Sequence, residues 1–238
     1  MAANNWYVSS GKLGRATPKK EFVHPVKTNR TKRGIGWLSS LMTNSTHPYH
    51  SSLEYRWLRY LDMSPQFITF KAQPRSFGFL EDGVPRSYCP DTGATTVSLE
   101  EVFFEVKPVE FVKQSKFATK WPLMVQAVKD AGAKLFLITD EFLRQEPRHT
   151  TIRRLQACRS FPPDPGITYL IDRAFLDADA IAMGDLLKVS SDRILVQHTI
   201  ESLILRRHLV IDLMRPFDET SMISPAATLY PSSLPHAA

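Results

Sequence analysis

The sequence predicts an α/β fold: a mixed sheet flanked by helices, followed by a small unit of three helices and a hairpin. Three observations lead there. Leu53, Trp57, Tyr60 and Leu61 recur with helical period and are followed, from Glu101 to Lys107, by alternation of period two. A further helix from Pro122 to Gly132 and a strand from Lys134 to Thr139 come next, an order that suits helices packed on a mixed sheet. Phe161-Pro162-Pro163-Asp164-Pro165-Gly166 then breaks the chain, because three prolines and a glycine continue neither a helix nor a central strand. With 238 residues, 43% of them hydrophobic, the chain can bury a real core.

The elements divide into residues 1–50 as a basic arm, 51–160 as the sheet domain, 167–225 as the small C-terminal domain and 226–238 as a flexible tail. The net charge is +6, and its placement is uneven: residues 1–40 carry Lys12, Arg15, Lys19, Lys20, Lys27, Arg30, Lys32 and Arg33 against Glu21 alone. Interleaved with Trp6, Tyr7, Phe22 and Trp37, such an arm would release counterions from a phosphate backbone, giving salt-sensitive affinity with little base preference. The bland alternative is a solvated terminus.

The first helix starts at Ser51-Ser52-Leu53-Glu54, which fits a capping box with Glu54 bonding back to the N-cap. Glu54 also borders the apolar stripe, so it can face the sheet instead. Gln73-Pro74 follows a strand, and Tyr88-Cys89-Pro90 leads into an expected Asp91-Thr92-Gly93 turn. The next strand is expected near Leu99, so a hairpin-like return brings Asp91 beside Glu105. Within that strand Glu105 and Lys107 point the same way, and Pro108, lacking an amide hydrogen, ends the strand and leaves the pair at an exposed end. Asp140 to Gln145 and Thr150 to Arg159 read as short helices made basic by Arg144, Arg148, Arg153, Arg154 and Arg159, either a DNA-facing patch or a solvated face. Beyond the break, Ile167 to Phe175, Ala180 to Lys188 and Asp192 to Leu205 read as helices, the last capped by Ser190 or Ser191. Leu209 to Leu213 and Thr220 to Ser224 form the extended pair of a winged-helix-like domain, which offers few base-reading candidates beyond Arg193, Gln197 and His198 and is therefore expected to dock a partner rather than read bases.

Asp91, Glu105 and Lys107, with Glu54, form a set suited to phosphodiester hydrolysis. Water must reach an anionic phosphorus while charge builds on the leaving oxygen, and a hard cation held by carboxylates relieves both difficulties. Asp91 and Glu105 would hold the metal, Glu54 would complete a second position or hold a metal-coordinated water, and Lys107 would orient water, assist its deprotonation or neutralise transition-state charge. Taken singly, a strand-end Glu-x-Lys is an ordinary paired surface and Pro-Asp ordinary turn chemistry. Their joint occurrence carries the reading.

The order Glu54, Gln73-Pro74, Tyr88-x-Pro90-Asp91 and Glu105-Val106-Lys107-Pro108 resembles the TnsA endonuclease subunit of heteromeric cut-and-paste transposases, within the PD-(D/E)xK nucleases. His24-Pro25, Ser51-x-x-Glu54 and Asp62-x-Ser64-Pro65-Gln66 extend the likeness over about residues 22 to 145. The resemblance implies a restriction-endonuclease-like core, Mg²⁺ dependence with Mn²⁺ as substitute, and cutting at transposon 5′ ends. It also implies two partners: a DDE-type transposase subunit for the 3′ ends and an AAA+ ATPase regulator contacted through the C-terminal part. It maps the catalytic set onto Glu54, Asp91, Glu105 and Lys107, the metal ligands being Glu54, Asp91 and Glu105. Some relatives carry glutamine where Glu105 stands, so the acid here implies a competent site.

Other classes find less support. No run of 18 apolar residues and no apolar signal core occurs, so a cytoplasmic protein acting on DNA, away from membranes, is expected. Cys89 and Cys158 stand alone, without the paired spacing of a zinc knuckle, and are expected to be reduced packing residues. His47 and His50 lack two further ligands at zinc-site spacing. No phosphate-binding glycine loop appears, so any ATP belongs to a partner. Gln126 reads as a surface glutamine rather than an accessory polar group. The remaining alternatives are a stand-alone PD-(D/E)xK nuclease in restriction or repair, and a non-enzymatic adaptor with a nuclease-like core.

Overall fold

A computed structural model describes residues 34–226. Most of the expected basic arm, with Trp6, Tyr7 and Phe22, and all but the first residue of the expected tail lie outside the described residues.

The described chain opens with an antiparallel hairpin of β1 (Gly36–Ser39) and β2 (Thr46–Tyr49). Helix α1 (Ser52–Met63) follows, N-capped by Ser51, whose hydroxyl accepts the Glu54 N–H at 3.1 Å. Its buried face holds Leu53, Trp57 and Leu61 of the expected stripe and adds Leu58, while Tyr60 is only half-buried. That face packs on Val102, Phe104, Val106, Phe136 and Ile138.

The receiving sheet contains β3 (Phe67–Ala72), β6 (Thr92–Thr96), β7 (Glu101–Val106) and β8 (Lys134–Ile138), ordered β3-β6-β7-β8. The first two pairings are antiparallel and the last is parallel. Parallel strands need a crossover, and α3 (Ser115–Asp130), preceded by the single turn α2 (Val109–Val112), supplies it. Met124 and Val128 of α3 cover the second sheet face together with Phe77, Phe103 and Leu135. The sheet is therefore buried on both sides, which is why β7 reads as nearly continuous apolar sequence rather than strict alternation.

Between β3 and β6 the chain makes a separate hairpin, β4 (Phe77–Glu81) and β5 (Val84–Tyr88). Asp82 and Gly83 turn it with φ of 51° and 76°, the two positive angles of a primed two-residue turn.

Several expectations need correction. Helix α3 begins at Ser115, with Pro122 inside it rather than in its first turn. The carbonyl that the proline leaves unbonded belongs to Ala118, which is exposed and can turn to water. Thr92 and Gly93 are strand residues, not a turn, and Leu99 lies in the β6–β7 connection with φ 65°. Gly93 is required by a close approach: an added Cβ would stand 2.8 Å from Pro74 Cγ and 3.0 Å from Phe103 Cε1.

After β8 come α4 (Asp140–Arg144) and α5 (Arg148–Ala157). The proline-rich segment does not stay outside regular structure: Asp164 caps α6 (Pro165–Ala174), accepting the Ile167 N–H at 2.9 Å, and Pro165 occupies the first turn, where its missing donor costs nothing. The stretch from Ala180 to Lys188 is not one helix but β9 (Ile181–Ala182) and the single turn α7 (Met183–Leu186), because Ile181 and Ala182 pair with a distant strand. Helix α8 (Arg193–Leu205) is capped by Asp192, rather than by either preceding serine. Strands β10 (Leu209–Ile211) and β11 (Met222–Pro225) then complete a three-stranded sheet ordered β10-β11-β9.

The core of this C-terminal half reaches across the proline-rich segment to Leu155 of α5 and Met63 of α1. Polar bonds run along the same seam. Arg159 meets the fully buried Asp62 at 2.8 Å, Arg207 donates to the Phe67 carbonyl at 2.8 Å, and Gln156 to the Arg59 carbonyl at 3.3 Å.

Candidate active site

Two antiparallel strands deliver the acids. Thr92 opposes Phe104 and Gly93 opposes Phe103, so carrying the register back one residue sets Asp91 opposite Glu105. Directly opposed residues share a sheet face, and period two adds Lys107 to it. Side-chain contacts agree. Lys107 Nζ lies 2.7 Å from Glu105 Oε1 and 3.3 Å from Asp91 Oδ2. The backbone fixes Asp91 further: its Oδ2 accepts the Val106 N–H at 2.8 Å, and its carbonyl accepts the Gln73 N–H at 3.0 Å. Gln73 holds φ 46° at that point.

The strand end is less open than expected. Lys107 keeps a third of its side chain exposed, but only 7% of the Glu105 side chain is exposed. Burial beside Phe103 and under the β4–β5 hairpin explains the difference, and Tyr88, the last residue of β5, donates its hydroxyl to Glu105 Oε2 at 2.7 Å. Burial first, and then the Asp91 charge, push the Glu105 carboxyl up to about 7, against the opposing pull of Lys107 and Tyr88. Burial alone would lower the Lys107 ammonium, but Asp91 and Glu105 outweigh it and hold the group above its ordinary range. Tyr88 is raised as well, by burial and by the carboxylate that it serves.

These directions assign chemistry. An ammonium held this firmly is a poor proton acceptor and a good fixed charge, so of the three roles expected for Lys107, charge neutralisation fits best. Glu105 is the group poised to exchange a proton near neutrality.

Glu54 makes the capping arrangement of its sequence and more. Its carboxylate accepts the His50 N–H at 2.8 Å and the Ser51 hydroxyl at 3.0 Å. It also lies within electrostatic reach of Asp91: burial and the Asp91 charge raise it above the usual carboxylate range. Glu54 thus approaches Asp91 without joining Asp91 and Glu105 around a common point. Among the described residues no three His, Cys, Asp or Glu side chains form a ready metal cage. The expected ligand set is therefore a close pair, Asp91 and Glu105, with Glu54 to one side. The donors suit a hard divalent cation in kind, since two carboxylates meet one ammonium, a third lies within reach of Asp91, and two of the three acids are raised by burial and by the Asp91 charge.

Tyr88 is a functional candidate to which the sequence assigned no role. The available signal was Asp82-Gly83 between two apolar stretches, which predicts a hairpin returning Tyr88 toward Asp91. His50 is another: its Nδ1 lies 2.7 Å from Gln73 Nε2, while its buried Nε2 has no partner. Gln126 bonds Asp130 on the exposed face of α3 and has no part in the site.

The arginines from 144 to 159 do not make one DNA-facing patch. Arg144 pairs with Asp140 and Arg154 with Glu201, Arg159 with Asp62, and buried Arg148 donates to the Phe142 carbonyl. In the C-terminal half, Arg193 pairs with Glu219 and Gln197 bonds Glu201. Arg206 is tied to Ser202 and to the Arg159 carbonyl. The cysteines are free thiols, and burial pushes Cys89 up to about 11 and Cys158 up to about 12.

No protein-family model matches the chain, and no curated protein matches it either. Among the described residues no helix is long and apolar enough to cross a membrane.

Proposed function

We propose that the protein is a metal-dependent DNA endonuclease, the subunit of a cut-and-paste transposase that hydrolyses phosphodiester bonds at the transposon 5′ ends. The observation that carries this reading is the opposition of Asp91 and Glu105 across β6 and β7, with Lys107 Nζ between them. It gains support from the element order, helix α1, antiparallel β3, β6 and β7, crossover helix α3 and parallel β8, which suits a restriction-endonuclease-like core.

Mg²⁺, or Mn²⁺ in its place, supplies Lewis acidity at a phosphate oxygen when held by Asp91 and Glu105. The chain does the rest. Lys107 sets a fixed positive charge beside the scissile phosphate, where negative charge grows as bonds change. The Tyr88 hydroxyl holds the Glu105 carboxylate in one orientation, toward the cation it would bind. Glu54, fixed by the cap of α1, strengthens the negative field around Asp91.

The C-terminal half, with α6, α7, α8 and a three-stranded sheet, suits a winged-helix-like domain. Two of its three base-reading candidates, Arg193 and Gln197, are engaged by Glu219 and Glu201, while Ile194, Met214 and Met222 are exposed, so the domain docks partner proteins rather than reading bases. Those partners are the DDE-type transposase subunit and the AAA+ ATPase regulator. The setting is the cytoplasm.

The deciding measurement is Mg²⁺-dependent strand cleavage of transposon-end DNA with and without those partners. Cleavage at the 5′ ends that requires the partners is expected. Efficient cutting of unrelated DNA by the isolated protein would favour a stand-alone restriction or repair nuclease. No metal-dependent cutting under either condition would refute the enzyme.

A further inference from the structure

The outer side of α1 and the start of α5 enclose a cavity of about 250 Å³ that has no part in the acidic centre. Arg56, Arg59, Arg148, Arg153, His149 and Tyr60 line it. Two arginines come from α1, three residues apart and on the side away from its apolar stripe, so they stand one above the other. Arg153 enters from α5.

The pocket has far more positive charge than its own acids account for. Neighbouring arginines outside it have carboxylate partners: Arg154 has Glu201 and Arg159 has Asp62. Among the described residues no carboxylate pairs with Arg56, Arg59 or Arg153. Glu146, the acid that His149 meets at 3.1 Å, also accepts the Thr150 N–H at 3.1 Å. Arg148 is spent on the Phe142 carbonyl and on Gln145. Arg59 is the telling member. Its guanidinium lies over the Tyr55 ring, and its buried Nε has no hydrogen-bond partner. Burial, with the charges of Arg159 and Arg153 behind it, pulls the group below its usual range, against the favourable effect of Tyr55.

Like charges gathered in a part-buried site are costly unless an anion completes them. The guanidinium fork matches oxyanions in geometry. A lone carboxylate has two oxygens and would leave most of these donors unused, whereas a phosphate group offers more acceptors and more charge. We propose that this pocket binds a phosphate group, at a place separate from Asp91, Glu105 and Lys107. The proposal does not depend on the acidic centre being a nuclease, because binding is measurable without cleavage.

The test uses the full chain in EDTA. Inorganic phosphate is titrated calorimetrically into the wild type, into the Arg56→Gln/Arg153→Gln double variant and into Arg59→Gln. The altered side chains in the double variant are exposed, and its melting temperature should stay at the wild-type value. Saturable binding that weakens about tenfold or more in both variants is expected. A parallel arm measures duplex DNA affinity against salt. If the phosphate belongs to a DNA backbone, the double variant shows a log–log slope shallower by about 1 to 2, from lost phosphate contacts. If only the inorganic phosphate signal falls, the source is a free phosphate or a small phosphorylated molecule. Phosphate binding and duplex slope that both match wild type in the variants, or are both absent throughout, overturn the proposal. Loss of strand cleavage with phosphate binding intact would count against the nuclease and leave this pocket standing.

Discussion

Among the described residues, the buried acids at the seam between the halves and those at the end of β7 are held on opposite principles. At the seam between the halves, each acid is matched and surrounded by donors. Asp62 faces Arg159 and also accepts the Ser40 hydroxyl at 2.6 Å and the Met42 N–H at 3.0 Å. Glu201 faces Arg154 and accepts from Gln197 and Cys158. At the end of β7, by contrast, Asp91 and Glu105 share one ammonium, and Glu54 adds a third negative charge within reach of Asp91. Folding alone gains nothing from that excess. A balanced buried cluster holds parts together, while an overcharged one is a candidate site for a bound cation.

The comparison can be broken at several points. The largest effect is expected from Asp91→Asn: cleavage of end DNA should fall about 10³-fold, ~4 kcal/mol of barrier, with little loss of stability. Retained cleavage in a reconstituted reaction would remove Asp91 from the site. Arg154→Ala should do the reverse. It strands the buried Glu201 carboxylate and should cost about 3 kcal/mol in denaturant unfolding, toward the low end for a broken buried pair because a third of Arg154 is exposed. Cleavage by the protein that remains folded should be nearly unchanged.

The pH dependence of stability comes next in size. Because Glu105 is raised to about 7 from an ordinary 4.5, the folded state binds its proton more tightly than the unfolded chain. Its contribution is complete below about 4.5 and is lost as pH rises through about 7, a change on the order of 3 kcal/mol. Glu54 is shifted in the same direction and adds to the slope. Urea unfolding between pH 4 and 8 should therefore show stability falling with pH, and Glu105→Gln should flatten that fall without abolishing it. An unchanged slope would show that Glu105 is not the strained acid. The smallest effect belongs to Tyr88→Phe. Removing a hydrogen bond that favours ionised Glu105 should move the acidic limb of the cleavage pH profile upward by less than ~1 unit. A fall in rate with no shift of that limb would make Tyr88 a packing residue only.

Local signals made much of this legible from the sequence. The stripe of α1 could be read because one helix face meets one sheet face, and Glu105 and Lys107 because a strand period is insensitive to context. Elements decided by distant partners were not legible. Ile181 and Ala182 have no strand signal of their own and pair because β11 arrives beside them. Pro122 looks like a helix start until Ser115 to Lys120 is seen to form the preceding turns. Within the site, the proximity of Asp91 and Glu105 could be anticipated, but for the wrong local reason: their opposition comes from a strand that begins at Thr92, not from a turn there. The burial of Glu105 depends on Tyr88, brought in by a hairpin that the Asp82-Gly83 pair alone announces. Charge runs were the least legible, because the destination of an arginine side chain depends on which carboxylate the tertiary fold places opposite it.

Helix α1 carries Glu54 in its first turn and Asp62 in its last. The first is tied to the acidic centre's field, and the second is gripped by Arg159. Twelve residues of helix make a stiff rod about 18 Å long. The acidic centre and the seam to the C-terminal half therefore share one rigid support, so a change in the packing of either end of α1 bears on the other.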